Sequence, residues 1–216
     1  MLKKSLLIIF LILLIDQVLK IWIKTNMYIG QEYNIFGNWF IIHFTENEGM
    51  AFGMKFGGDY GKLILSLFRI VAVGAIGWYL YKLIKENTDK LYIICMSLIF
   101  AGAIGNILDS AFYGIIFSES YFNIAQLLPA EGGYGSFLHG KVVDMFYFPI
   151  FTGQYPNWFP IWGGEDFIFF RPVFNVADSS ISVGVVLLII FQKRFFNNPE
   201  KEKKENTDTK EVDVTA

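Results

Sequence analysis

A polar start to an apolar run lies at Phe174-Asn175-Val176-Ala177-Asp178-Ser179-Ser180-Ile181, and the run continues to near Phe196. The pattern predicts a hydrophobic helix that begins at Asn175, with Asp178 in its first turn. Either residue could simply cap the helix N-terminus. If the helix crosses a membrane, however, a carboxylate at its end is costly to keep charged and indicates a functional site. Features elsewhere in the sequence decide between these interpretations.

The composition points to an integral membrane protein. Of the 216 residues, 54% are hydrophobic and 18% are charged, whereas about a quarter of the residues in soluble domains are charged. The net charge of −2 gives no indication of nucleic-acid binding. Cys95 is the single cysteine, which excludes an intramolecular disulfide and a cysteine-based zinc site. His43 and His139 have no metal-ligand spacing, so we expect no metal and no cofactor.

Four apolar runs predict four transmembrane helices, at about residues 5–23, 63–84, 91–108 and 176–195. Two lysines precede the first run, as in a signal peptide, but no small-residue cleavage site follows it. We therefore expect the first run to be retained as a helix. The predicted organisation is a single integral membrane domain over residues 1–196, followed by a polar tail at 197–216 that we expect to be cytoplasmic and disordered.

Two aromatic segments connect the predicted helices. The first, residues 24–62, contains the strand-like run Trp39-Phe40-Ile41-Ile42-His43-Phe44 and predicts a small β-rich cradle at the membrane interface. The second, residues 110–175, is too aromatic for a disordered linker and predicts a cap lying on the membrane surface. The predicted fold class is an all-α membrane protein of four transmembrane helices, with the β-rich cradle and the surface-lying cap on the outer side.

Basic residues indicate the orientation of this bundle. They concentrate at residues 3–4, in the loop 82–90 and from residue 193 onward, which lie on one side if there are four spans. The positive-inside rule makes that side cytoplasmic, together with both termini. The outer half of the bundle then holds a set of polar residues: Asp16, Asn106, Asp109, Asn175 and Asp178.

Two spacings place polar residues on shared helix faces. Asp16 and Lys20 are four residues apart and can pair. That pair either orients the helix end or lies beside a polar cavity, and the sequence leaves both alternatives open. Asn106 and Asp109 are three residues apart, and small neighbours such as Gly105 allow close helix contact. Packing explains the small residues, but it does not explain an amide and a carboxylate on one face.

A second acidic motif, Gly140-Lys141-Val142-Val143-Asp144-Met145-Phe146, changes the interpretation of Asp178. Two carboxylates held together at low dielectric cannot both ionise easily, so they share a proton and act as base and acid together. Such a pair can activate water against an amide without a covalent intermediate. Cys95 lies inside an apolar run without a catalytic partner, and no Ser/His arrangement is visible. The sequence therefore favours Asp144 and Asp178 as a catalytic pair.

Five motifs together resemble the lipoprotein signal peptidases (signal peptidase II), and they follow the order of that family. They are Leu14-Ile15-Asp16-Gln17-Val18-Leu19-Lys20, Asn47-Glu48-Gly49-Met50-Ala51-Phe52, Gly102-Ala103-Ile104-Gly105-Asn106-Ile107-Leu108-Asp109, Val142-Val143-Asp144-Met145-Phe146 and Phe174-Asn175-Val176-Ala177-Asp178-Ser179. The resemblance implies an aspartic endopeptidase of the bacterial inner membrane. Such an enzyme cuts the signal peptide from prolipoproteins just before a diacylglyceryl-modified cysteine.

The resemblance also implies roles for single residues. It implies that Asp144 and Asp178 are the catalytic pair. It implies that Asn106 and Asn175 line the site. The supporting polar residues that it implies are Asp16, Lys20, Asn47 and Asp109. By itself, Asn47 would pass for an ordinary turn residue. The expected partners are a diacylglyceryl-prolipoprotein substrate and membrane lipid, with no nucleic acid, and we expect a monomer whose active site lies near the periplasmic face.

Two departures from the family pattern stand out. Ser110 follows Asp109 where the family usually has an arginine, whose guanidinium can pair with carboxylates or bind a substrate carbonyl. Lys141 or Arg171 could take its place. The stretches 110–140 and 147–173 are much longer than is usual in the family, and each could form a lid over the substrate or decorate the surface.

Two other classes of protein would also explain part of this pattern. A proton-coupled transporter would also carry Asp and Asn within four spans, but its polar residues should cross the whole bilayer depth. Here they cluster on the predicted outer side. A non-catalytic membrane scaffold would explain the aromatic segments but not two acidic motifs.

Overall fold

The computed structural model describes residues 1–48, 58–169 and 171–196. Four helices of 15 residues or more dominate it, and short strands lie between them. The helices are α1 (Leu2–Asn26), α2 (Gly58–Lys85), α3 (Lys90–Leu108), α4 (Gly114–Ile116), α5 (Val176–Ile190) and α6 (Gln192–Phe196), with a π-helical turn at Asp109–Tyr113. The strands are β1 (Glu32–Phe36), β2 (Phe40–Asn47), β3 (Val142–Tyr147), β4 (Phe151–Gln154), β5 (Asp166–Phe169) and β6 (Val173–Phe174). The predicted tail 197–216 and part of the motif at 47–52 lie outside the described residues.

Three helices in the described part of the chain are long and apolar enough to cross a membrane: α1, α2 from Tyr60, and α3 continued to Ile116. Helix α5 is also apolar but has 15 residues, which corresponds to about 22 Å of helix against a hydrocarbon core of about 30 Å. A turn at Phe191 separates it from α6. The fold therefore has three to four apolar helices together with strands. Neither the predicted count of four spans nor the label all-α is confirmed.

Helix α3 lies at the centre of the bundle, where it contacts α1, α2 and α5. Two glycines make these contacts close. A methyl group on Gly102 would lie 2.2 Å from the carbonyl oxygen of Ala177, and one on Gly105 would lie 2.8 Å from Asp16 Oδ2. The predicted close approach at Gly105 is confirmed, since a larger side chain there would collide with both α1 and α5.

A four-stranded antiparallel sheet, in the order β1-β2-β3-β6, packs on the C-terminal end of α1. Ile23 of α1 and Met27, which follows that helix, share a core with Phe44 of β2 and with Val143 and Met145 of β3. The predicted cradle is confirmed in β1 and β2. Its other half comes from β3 and β6, which belong to the segment predicted to be a surface cap. These strands are short and lie between long irregular stretches. The sequence therefore shows no extended alternation of apolar and polar residues that would predict them.

The register of this sheet brings the two acidic motifs together. Asp144 of β3 is paired with Thr45 of β2, and Phe146 of β3 is paired with Phe174 of β6. Strand β6 is followed directly by Asn175 and then α5. The pairing of β3 with β6 therefore holds the start of α5 beside Asp144.

The two long stretches that distinguish this chain take different forms. The stretch 110–140 is fastened to the rest of the protein by Lys24 of α1, a fully buried lysine that pairs with Glu46 of β2 and donates to Ser120 Oγ at 2.7 Å. The stretch 147–173 contains the hairpin of β4 and β5, whose strands pair with each other. Among the contacts described for these two stretches, only the first stretch is bonded to a buried ion pair, through Ser120 and Lys24.

Candidate active site

Asp144 lies on β3 and is almost fully buried, with 3% of its surface exposed. Its carboxylate accepts hydrogen bonds from two side-chain amides. One comes from Asn47 at the end of β2, and the other comes from Asn175 Nδ2, which lies 2.7 Å from Asp144 Oδ1. These two donors, one on each side of β3 in the sheet, hold the carboxylate in one orientation.

Asp178 lies in the first turn of α5, where Asn175 is the N-cap residue. The backbone N–H of Asp178 donates to Asn175 Oδ1 at 2.9 Å, and the backbone N–H of Asn175 donates to Asp178 Oδ2 at 3.3 Å. The capping interpretation of both residues is therefore confirmed. Capping uses only one carboxylate oxygen, however. The other, Asp178 Oδ1, accepts a hydrogen bond from Asn106 Nδ2 of α3 at 2.7 Å.

Asn175 connects the two acids directly. Its Oδ1 accepts from the backbone of Asp178, while its Nδ2 donates to Asp144 Oδ1 and, at 3.1 Å, to Asn106 Oδ1. The side chain is fully buried, and its Nδ2 also lies 3.2 Å from the carbonyl oxygen of Val143. One amide thus fixes the distance between β3 and the start of α5.

A buried cluster of charged residues packs against Asn106 and so against the hydrogen bonds that hold Asp144 and Asp178. The ammonium of Lys20, which is fully buried, lies 2.9 Å from Asp16 Oδ2 and 2.8 Å from Asp109 Oδ2, and it donates to Asn106 Oδ1 at 3.0 Å. All three of its N–H donors can therefore be used. The predicted pairing of Asp16 with Lys20 is confirmed, and Lys20 also contacts the Asn106 that bonds to Asp178.

The carboxylates of this cluster also bind backbone next to each acid of the pair. Asp16 Oδ1 accepts from the N–H of Ala177 at 2.8 Å, and Asp109 Oδ2 accepts from the N–H of Val143 at 3.2 Å. Ala177 precedes Asp178 and Val143 precedes Asp144 in the sequence. The ion cluster therefore positions both catalytic candidates through their neighbours.

Burial raises the pKa of the Asp144 carboxyl to about 8, and the negative charge of Asp178 acts in the same direction. Lys20 and the hydrogen bonds from Asn47 and Asn175 oppose this shift. Burial and the charge of Asp178 both favour the protonated form of this carboxyl. No group of His, Cys, Asp and Glu residues in the described ranges has an arrangement that could hold a metal ion.

All eight predicted site residues lie in one connected network of hydrogen bonds and ion pairs: Asp16, Lys20, Asn47, Asn106, Asp109, Asp144, Asn175 and Asp178. Their individual roles in catalysis stay predictions. Sequence reasoning missed Gln17, whose Nε2 donates to Asp16 and to Asp109 at 3.0 Å, and Tyr113, whose hydroxyl donates to Gln17 Oε1 at 3.1 Å. Gln17 offered a signal, because it is a polar residue next to Asp16 and three positions before Lys20 in an otherwise apolar run.

The two cations suggested as replacements for an arginine at Ser110 lie elsewhere. Lys141 Nζ is 3.1 Å from Glu119 and 3.8 Å from Glu46, and Arg171 is exposed. Ser110 itself is buried and donates to the carbonyl oxygen of Asn106 at 3.1 Å. Its hydroxyl therefore serves its own helix and brings no charge to the site.

Apolar helices, a small sheet and two neighbouring acids, Asp144 buried and Asp178 partly buried, are the features expected of a hydrolase in a membrane. Comparison with known proteins identifies the family, since the sequence profile described as Signal peptidase (SPase) II matches residues 8–194. The chain belongs to the signal peptidase II family, and it is a protease.

Relatives with the same name support this assignment over most of the chain. The lipoprotein signal peptidase of Porphyromonas gingivalis is 55% identical over 188 residues, which cover 87% of this chain and 81% of the relative. That of Amoebophilus asiaticus is 38% identical over 192 residues, covering 88% of this chain and 77% of the relative. A solved bacterial membrane enzyme structure is similar with a TM-score of 0.57 and 26% identity, covering 89% of this chain and 88% of that one.

Proposed function

We propose that this protein is an aspartic endopeptidase that removes the signal peptide from diacylglyceryl-modified prolipoproteins, cutting just before the lipidated cysteine. Family membership supports the reaction and the prolipoprotein substrate. The observation that carries the mechanism is the buried amide of Asn175, which hydrogen-bonds to Asp144 and to the backbone of Asp178. It links the carboxylate of Asp144 to the first turn of α5, where Asp178 lies, and so keeps the two acids on directly connected elements.

The proposed reaction uses one proton that the pair shares. Asp144 carries it at neutral pH, because burial raises the pKa of its carboxyl to about 8, and from there it polarises the scissile carbonyl. The ionised carboxylate of Asp178 takes a proton from water, whose oxygen attacks the carbonyl carbon. The tetrahedral intermediate then collapses as a proton passes to the leaving nitrogen. The products are a signal peptide with a new carboxylate and a lipoprotein with a free amine on its lipidated cysteine.

Side-chain amides next to this pair keep the two carboxylates oriented. Asn47 and Asn175 donate to Asp144, and Asn106 donates to Asp178. Lys20 offsets the charges of Asp16 and Asp109, so those two acids act as positioning groups rather than as bases. We assign catalysis to Asp144 and Asp178 alone.

In the bilayer, we propose a monomeric multi-pass protein of the bacterial inner membrane, with four spans formed by α1, α2, α3 and α5 and one domain over residues 1–196. Both termini are cytoplasmic, because the basic residues at 3–4, 82–90 and 193–194 then share that side. The sheet and the long connecting stretches face the periplasm. The acid pair lies near the same surface, where a substrate anchored by its lipid chains can reach it from the side.

A cleavage assay tests this function directly. The purified protein is incubated with a prolipoprotein peptide carrying a diacylglyceryl cysteine and with the same peptide lacking the lipid. We expect mass spectrometry to detect cleavage of the lipidated peptide only, at the bond preceding the cysteine. Cleavage of both peptides would remove the lipid requirement, and the absence of cleavage of either would contradict the proposed function.

The shared proton makes the reaction sensitive to alkaline pH. Asp144 is protonated below about pH 8 and loses its proton above it, so we expect kcat/KM for the lipidated peptide to fall as the pH rises beyond 8. Rates measured between pH 5 and 10, with melting temperatures at each pH as a control for folding, provide the check. A rate that continues to rise above pH 9 would contradict the assignment of the proton.

A further inference from the structure

Helix α2 carries a polar face through an otherwise apolar segment. Lys62, Ser66 and Arg69 are spaced four and three residues apart, so they share one side of the helix. Lys62 is 9% exposed and Ser66 is 5% exposed, whereas Ile64 and Phe68 on other sides are 67% and 68% exposed. The polar face of α2 is therefore turned toward the protein, and Arg69 is half-buried.

This face meets the segment that leads into the acid pair. Ser66 Oγ donates to the carbonyl oxygen of Leu138 at 3.0 Å, and the N–H of Leu138 donates to the carbonyl oxygen of Ala111 at 3.3 Å. Two residues further on, the N–H of Gly140 donates to the carbonyl oxygen of Ser110 at 2.8 Å. Ser66 thus contacts Leu138, which lies four residues before β3 and is bonded in turn to Ala111, two residues after Asp109.

Arg69 lies about one turn further along the same face. Burial removes its guanidinium from water, and the charges of Asp178, Asp109 and Asp144, in that order, act on it in the opposite sense. Lys20, the other cation near these acids, is already in contact with Asp16 and Asp109. Among the acids whose charges act on Arg69, the first is the catalytic candidate Asp178.

We propose that Arg69 is a positioning residue of this peptidase, whose guanidinium, presented by α2, stabilises the negative charge on the Asp144–Asp178 pair. The charge that Ser110 does not bring from the end of α3 is delivered from a different helix. This inference rests on the proposed aspartic mechanism. A cation near a carboxylate favours its ionised form, so Arg69 keeps the pair singly ionised down to lower pH than the buried site would otherwise allow.

A substitution of Arg69 leaves the other charged residues near the pair unchanged in the sequence. They lie on each element near the pair and are Asp16, Lys20 and Lys24 on α1, Lys62 on α2, Asp109 after α3, Glu46 in β2, Glu48 after β2 and Lys141 before β3. A comparison of variants at Arg69 alone therefore isolates the contribution of its charge.

The experiment measures pH–rate profiles for cleavage of the diacylglyceryl peptide by the wild-type protein, Arg69→Gln and Arg69→Lys. For Arg69→Gln we expect the acidic limb to move up by about one pH unit, with kcat/KM about tenfold lower on that limb. Arg69→Lys keeps the charge, so its acidic limb should stay within about 0.3 pH units of the wild type. Lys82→Gln, at the other end of α2 and half-exposed in its pair with Glu86, is the matched control and should leave the profile unchanged.

Each outcome bears on a separate claim. An unmoved acidic limb in folded Arg69→Gln overturns the role of Arg69, provided that the wild type cleaves. If Arg69→Gln does not fold, Arg69→Lys decides, because a limb displaced by one unit with the charge retained also overturns it. A wild-type protein that cleaves no lipidated peptide contradicts the proposed function itself.

Discussion

Replacing Asp144 or Asp178 by Asn is expected to lower kcat/KM for the diacylglyceryl peptide by at least about 10³-fold. An asparagine has nearly the same shape as an aspartate but can neither accept the proton of water nor pass on the shared proton. Each acid is held by donors from its neighbours, Asn47 and Asn175 for Asp144 and Asn106 for Asp178. The amide oxygen of the new side chain can accept part of these hydrogen bonds, so the protein should remain folded.

The measurement compares cleavage rates and melting temperatures of the two variants with those of Asp166→Asn. Asp166 is an exposed residue of β5, and the same chemical change there should leave both quantities unchanged. A folded Asp144→Asn or Asp178→Asn protein with near wild-type activity would reject the carboxylate pair as the catalytic group.

Substitution of Lys20 by Met should have the largest effect on stability. Lys20 is fully buried between Asp16 and Asp109, whose oxygens lie 2.9 and 2.8 Å from its ammonium. Without the ammonium, two buried carboxylates face each other and neither has a compensating charge. Breaking a buried ion pair by removing one partner costs about 3–5 kcal/mol, and we expect a loss of this size in the free energy of unfolding.

Thermal unfolding of the purified protein, followed by tryptophan fluorescence, provides the measurement. Lys82→Met is the matched control, because Lys82 and Glu86 also form an i,i+4 pair but are half-exposed and 3.9 Å apart. Such a surface pair contributes at most about 0.5 kcal/mol. The double variant Lys20→Met/Asp109→Asn should recover part of the loss, since it removes one of the two uncompensated charges. Equal melting temperatures for Lys20→Met and the wild type would contradict a stabilising cluster.

Sequence patterns were most informative where the physical signal is local. Hydropathy summed over about twenty residues predicts the apolar helices α1, α2 and α3. Capping by Asn175 follows from the residues immediately around it, and the Asp16–Lys20 pair follows from helical spacing. Asp144 and Asp178 stand out because carboxylates are rare in apolar surroundings, and Asn106 stands out through its spacing from Asp109. The family motifs added Asn47.

Local patterns were less informative about boundaries and connections. The apolar run at 176–195 predicts one continuous span, yet α5 ends at Ile190 and a turn at Phe191 follows. Strands β3 and β6 hide within an aromatic segment, because β6 has two residues and β3 has six. Arg69 is not among the predicted site residues, although an arginine inside an apolar run signals a buried partner.

The sequence by itself determined that this is a membrane protease with several apolar helices and acidic motifs in a defined order. The tertiary structure decided which of those motifs meet. Antiparallel pairing of β3 with β6 brings Asp144 beside the start of α5, glycines of α3 bring Asp16 beside Ala177, and the inward face of α2 brings Arg69 toward the acids. Contacts of this kind join residues far apart in the chain, and they depend on strand register and helix packing, which no local pattern of residues encodes.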